Sequence, residues 1–147
     1  MRIETRRPIA ATPAQVWEVV GDPCVIGTLT DVLLISELEQ GTTPAIGARY
    51  RALLRVGPVP VGGNVEIIQY KPPHDMAWTT LTGVDHRLRL RLRDRPDGGT
   101  WLTIRFAYDS PGLLGVVADV VSYPMVRSAI HDLLEHIVAR VENAHAP

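Results

Sequence analysis

The chain has 147 residues, 46% of them apolar and 21% charged, with a formal net charge of −1. That length can bury one domain core, and the composition excludes a disordered or low-complexity chain. The near-neutral charge gives no general pull toward nucleic acid or an anionic membrane, and the lone Cys24 excludes a disulfide framework and a multi-cysteine metal site.

The first residues, Met1-Arg2-Ile3-Glu4-Thr5-Arg6-Arg7, lack the apolar core of a signal peptide. No apolar run approaches the length of a membrane span. A cytoplasmic protein is expected. Residues 2–10 predict a strand. Thr12-Pro13-Ala14-Gln15 then starts a helix, with Thr12 as N-cap, Pro13 at the first helical position and Gln15 closing a capping box. Val16, Trp17, Val19 and Val20 supply its buried side, and Gly21-Asp22-Pro23 ends it. Residues 24–30 leave room for one more short helical turn.

From Asp31 the period becomes two. Segments 31–39, 48–56, 61–70, 76–82, 86–94 and 100–108 each read as a strand, separated by short Gly- and Pro-rich clusters. Turns this short join antiparallel neighbours, so the sheet is a meander. In 86–93, Leu88, Leu90 and Leu92 point one way and Arg87, Arg89, Arg91 and Arg93 the other, which makes one face buried and one wet. Tyr50, Ala52, Leu54 and Val56 against Arg49, Arg51 and Arg55 repeat the pattern. Gly62-Gly63 reads as a bulge or bend.

After Pro111 the period returns to 3.6. Leu113, Val116, Val117, Val120 and Val121 share a stripe up to Pro124, which must break or kink the helix. Gly112 and Gly115 near its start make 112–123 either a gate or the first half of one kinked helix. Over about 125–143, Val126, Ile130, Leu133, Ile137 and Val141 form one apolar face opposite Asp132, Glu135 and Glu142. Such a helix is about 28 Å long, enough to cross the sheet.

This element order resembles the START-like, or SRPBCC, superfamily, and most closely its polyketide cyclase/dehydrase-like branch. The matching residues are Ile9-Ala10-Ala11-Thr12-Pro13-Ala14-Gln15-Val16-Trp17, Gly98-Gly99-Thr100 and Leu133-Leu134-Glu135-His136-Ile137. The resemblance covers essentially the whole chain and implies a single START-like/SRPBCC domain over 1–147. The implied fold class is α+β: a helix-grip fold, in which a seven-stranded curved antiparallel sheet with a short N-terminal helix grips a long C-terminal helix packed across it. The superfamily includes lipid carriers, plant pathogenesis-related allergens, aromatase/cyclases, coenzyme Q-binding proteins and chaperone activators, so fold alone names no reaction.

A helix laid on a curved sheet leaves space where the two diverge, and the resemblance implies a ligand-sized cavity there. Its expected walls are Tyr50, Leu54, Trp78, Leu90, Ile104 and Phe106 on the sheet and Val126, Ile130 and Leu133 on the helix. A turn centred near residue 97 pairs Leu92 with Leu102, Leu90 with Ile104, Leu88 with Phe106 and His86 with Tyr108. A turn centred on Val84 pairs Trp78 with Leu90 and Thr82 with His86. His86, Tyr108 and Thr82 then form the polar end of an apolar surface, as ligand contacts or as a satisfied polar rim.

Other constellations have simpler readings. His131, Glu135 and His136 match no zinc-helix spacing and read as a solvated helix face, so no metal and no cofactor are expected. The arginine stripe with Arg105 lacks interleaved aromatics; with Glu37, Glu39 and Glu66 nearby to neutralise it, it reads as a wet sheet face and not a nucleic-acid site. Cys24 has no adjacent base and reads as a small apolar filler.

Three functions remain. The first is binding of an apolar small molecule, lipid-, polyketide- or aromatic-like. The second is a polyketide cyclase/dehydrase-type enzyme, for which His86 with Tyr108 is the only candidate acid–base pair. The third is a protein-interaction domain using the arginine face or 112–123.

Overall fold

The computed structural model describes residues 1–55, 61–109 and 112–145, with side chains at all of these except 61 and 112–122. In chain order the elements are β1 (Arg2–Ile9), α1 (Pro13–Val20), α2 (Pro23–Ile26), β2 (Leu33–Glu37), β3 (Arg49–Leu54), β4 (Val61–Lys71), β5 (Asp75–Thr80), β6 (Asp85–Asp94), β7 (Thr100–Asp109) and α3 (Gly112–Ala144). The strands form one antiparallel seven-stranded sheet in the order β1-β7-β6-β5-β4-β3-β2. This is the expected meander, with β1 added beside β7.

Local chemistry explains the first half. Thr12 accepts from the Gln15 amide at 3.2 Å, and the Gln15 side chain accepts from the Thr12 amide at 2.9 Å. Pro13 begins α1 and Gly21 ends it. The short turn expected after Pro23 is α2, capped by Asp22. Thr100 is fully buried and donates to the Ala11 carbonyl at 2.7 Å, tying the α1 start to β7.

The inner face carries Tyr50, Ala52 and Leu54 on β3, Val65 and Ile67 on β4, Met76 and Trp78 on β5, Leu88, Leu90 and Leu92 on β6 and Leu102 and Ile104 on β7, all buried in one core. Val56, expected to continue this face, lies outside the described residues. The glycine pair is not a bulge; the register shift in β4 falls between Ile67 and Gln69. Gly62 and Gly83 instead lie back to back, and a Cβ on Gly83 (φ +88°) would collide with the Gly62 carbonyl.

α3 buries Val126, Ala129, Ile130, Leu133, Leu134, Ile137, Val138 and Val141. It packs chiefly on β1, β7 and α1. Its polar side is not simply solvated. His131 Nδ1 lies 3.3 Å from Thr5 Oγ1, Glu135 pairs with Arg7, and Glu142 accepts from the Ala10 amide at 2.9 Å. These bonds stitch the helix to the edge strand. The backbone of 112–123 runs into the rest of α3 with Pro124 inside the helix. The side chains on which the gate reading rested are outside the described residues.

On the outer face the neutralising carboxylates are not the expected set. Glu66 pairs with Arg49 at 3.0 Å, but of the β6 arginines Arg91 and Arg93 are met by Asp75, and Arg105 on β7 is met by Glu4 at 3.2 Å. Glu37 accepts instead from the Gly41 amide.

Candidate functional site

The polar cluster is built by the β5–β6–β7 register. His86 stands opposite Tyr108 and Leu88 opposite Phe106, as the turn at 96–99 required. The β5–β6 pairing differs from expectation. Trp78 stands opposite Leu88, not Leu90, and Thr79 opposite Arg87, which brings Thr80 rather than Thr82 beside His86. The turn centres one residue earlier, on Gly83, whose positive φ it uses. Moving a turn centre by one slips the pairing by two, so every residue keeps its face. Thr82 is exposed and accepts from the Asn64 amide at 3.1 Å, away from the cluster.

His86 is held from both sides. Trp78 Nε1–H donates to its Nε2 at 3.2 Å, and since indole can only donate, Nε2 carries the lone pair. The proton is then on Nδ1, which donates to the Val84 carbonyl at 3.2 Å. The His86 amide donates to Thr80 Oγ1 at 3.1 Å. The ring stacks on Phe106 at 5.4 Å, and Phe106 lies 5.8 Å from Tyr108. Burial pushes the His86 pKa down, against the Val84 carbonyl and Asp85, which raise it. The imidazole is therefore neutral, oriented and internally satisfied.

Exposure varies along the inner face in an informative way. Leu92, Leu102, Ile137 and Val141 have no exposed surface, so that end is solid core. Leu54, His86 and Tyr108 each retain 8%, and Phe106 is only partly buried. Trp78, Leu90, Val126, Ile130 and Leu133 retain between 1% and 3%, while Tyr50 and Ile104 retain none. The sheet–helix interior is thus least closed around His86, Phe106 and Tyr108.

Tyr50 holds a feature that no sequence signal announces. Its ring is fully buried and its hydroxyl finds no hydrogen-bond partner among the described residues. Burial, followed by Asp22, Cys24, Glu37 and Tyr70, pushes its pKa up to about 12. Nearby, burial, Asp22 and Glu37 push the Cys24 thiol up, the opposite of nucleophile activation. Among the described residues no group of three or more His, Cys, Asp or Glu is placed to hold a metal. No helix of the described residues is long and apolar enough to cross a membrane.

Comparison with known proteins places this geometry. The structure is similar to TTHA0849 from Thermus thermophilus, with a TM-score of 0.82 at 13% identity, covering 99% of this chain and 100% of that one. A protein from Rhodobacter sphaeroides is similar at TM-score 0.68 and 24% identity, covering 97% and 93%. Ara h 8.0201 is similar at TM-score 0.68 and 13% identity, covering 97% and 98%. At these identities the likeness is one of fold. No curated protein matches the chain in sequence. A curved antiparallel sheet closed by a long C-terminal helix, apolar on its inner face, defines the helix-grip class, whose fold points to hydrophobic ligands. Within that class the family described as polyketide cyclase / dehydrase and lipid transport matches residues 1–142, and the chain belongs to it.

Proposed function

We propose that the protein binds an apolar small molecule, lipid-, polyketide- or aromatic-like, between the inner sheet face and α3. Phe106, Tyr108 and His86 surround the entry end, and Trp78, Leu90, Ile130 and Leu133 form the apolar floor. Binding is favoured over acid–base catalysis by one observation: both ring nitrogens of His86 are engaged, by Trp78 and by Val84. A general base needs a free lone pair within reach of the substrate proton. Here His86 and Trp78, bonded to each other, act as a rigid wall against which the apolar body of the ligand packs.

Native mass spectrometry of freshly purified protein tests this directly. A retained apolar molecule is expected, and Leu90→Trp, which fills the floor of the site, should lose it while still melting cooperatively. Wild-type protein that carries nothing, and leaves the apolar dye anilinonaphthalene sulfonate unbound while folded, would overturn the reading. Full turnover of a reactive polyketone by wild type, cut ~10²–10⁴-fold in His86→Ala at unchanged affinity, would transfer the case to the enzyme reading.

A further inference from the structure

The outer sheet face carries a cationic strip that ligand binding leaves unused. β6 places Arg87, Arg89, Arg91 and Arg93 on that face, at a spacing of ~7 Å for alternate residues. Two of them are compensated in charge: Asp75 lies 3.1 Å from Arg93 Nη2 and 3.7 Å from Arg91 Nε, the latter too long for a hydrogen bond. Arg89 is not. The register sets it between Ala77 on β5 and Arg105 on β7, and its Nε–H is buried with no acceptor among the described residues. Like charges directly opposite on neighbouring strands destabilise a sheet, as does a buried unmet donor. Arg87, between Thr79 and Ala107, is exposed and has no ion pair among the described residues. The fold therefore fixes uncompensated positive charge at one place in a chain whose net charge is −1.

We propose that this strip is a docking surface for an acidic helix on a partner protein. Carboxylates at i and i+4 on a helix are ~6 Å apart, close to the ~7 Å step of the arginines, and guanidinium forks receive carboxylates in pairs. The strip is also short and framed by acid. Asp85 and Asp109 stand opposite each other at one end of the same face, and Glu4 and Asp75 flank it. A bilayer or duplex stays negative beyond the ~20 Å length of the strip and meets that frame. A helix of three to four turns ends within it. At the other end Trp101 lies beneath Arg6 and Arg95, with guanidinium carbons 4.2 and 4.9 Å from its ring centroid. Trp and Arg are the residue types on which protein interfaces concentrate binding energy.

The test uses the full chain and a labelled helical peptide of about 14 residues, ~21 Å long, with Glu at every fourth position along one face. Binding is followed by fluorescence anisotropy at low and physiological salt. Controls are a peptide of equal composition with its Glu scattered around the helix, phosphatidylglycerol vesicles and a short DNA duplex. The patterned peptide should bind ~10-fold tighter than the scattered one, and Arg87→Gln with Arg89→Gln should weaken it by a similar factor without lowering Tm. Equal binding of the two peptides, tighter binding of vesicles or duplex, or an unaffected double variant each overturns the proposal. The outcome does not depend on whether the interior holds a ligand.

Discussion

Replacing Tyr50 by Phe deletes one oxygen from the core and should make the protein more stable. Tyr50 is fully buried, and its hydroxyl has no partner among the described residues. A buried donor left unmet costs ~1–3 kcal/mol, whereas Phe preserves the ring and opens no cavity. Taking the lower bound gives a gain of about 1 kcal/mol, or roughly 3–4 °C in Tm for a chain of this size. Urea denaturation should show a higher midpoint at unchanged slope. The pH dependence supplies a second, signed readout. With its folded pKa raised to about 12, against an unfolded value of about 10, Tyr50 keeps its proton in the native state after the unfolded chain has lost it. Its contribution is intact below about pH 10 and falls away as pH rises toward about 12. Phe has no proton to lose, so the advantage of the variant should widen across that window. A Tyr50→Phe protein less stable than wild type by about 1 kcal/mol would show that the hydroxyl is bonded in the native state and that the reasoning is wrong.

His86 has the opposite sign. Its folded pKa is lowered, so below about pH 6.5 the unfolded chain takes up a proton that native His86 refuses, and stability is lost as pH falls through that value. Calorimetry from neutral to mildly acid pH should show a shallower loss in His86→Gln, and identical slopes would contradict it. Gly83→Ala should cost more than ~1 kcal/mol, because Gly83 has φ +88° and its Cβ would meet the Gly62 carbonyl; a urea midpoint within error of wild type refutes this. Removing residues 125–147 deletes seven large buried side chains of α3, from Val126 to Val141. At ~1.5–3 kcal/mol each, the loss reaches or exceeds a typical total stability of ~5–15 kcal/mol. A cooperatively melting fragment 1–124 would sink that estimate.

The sequence by itself determined everything that depends on period and local turn chemistry. The capping box at Thr12 and Gln15, the inward leucines of β6 and the apolar face of α3 follow from spacing alone, because a strand inverts its side chains every residue and a helix every half turn. The β6–β7 register was equally legible, since Gly98 and Gly99 leave the chain one tight way to reverse. Tertiary structure decided the rest. The β5–β6 turn centres on Gly83 because that residue must lie flat against Gly62, 21 residues away in sequence and invisible to local rules. That contact put Thr80 beside His86 and left Thr82 outside. The bond from Trp78 to His86 is a diagonal across two strands, so it exists only once that register is set. His131, Glu135 and Glu142 read as solvent-facing because their partners Thr5, Arg7 and Ala10 lie more than 120 residues earlier. Pattern assigns a side chain to a face; only the packed chain determines what waits there to receive it.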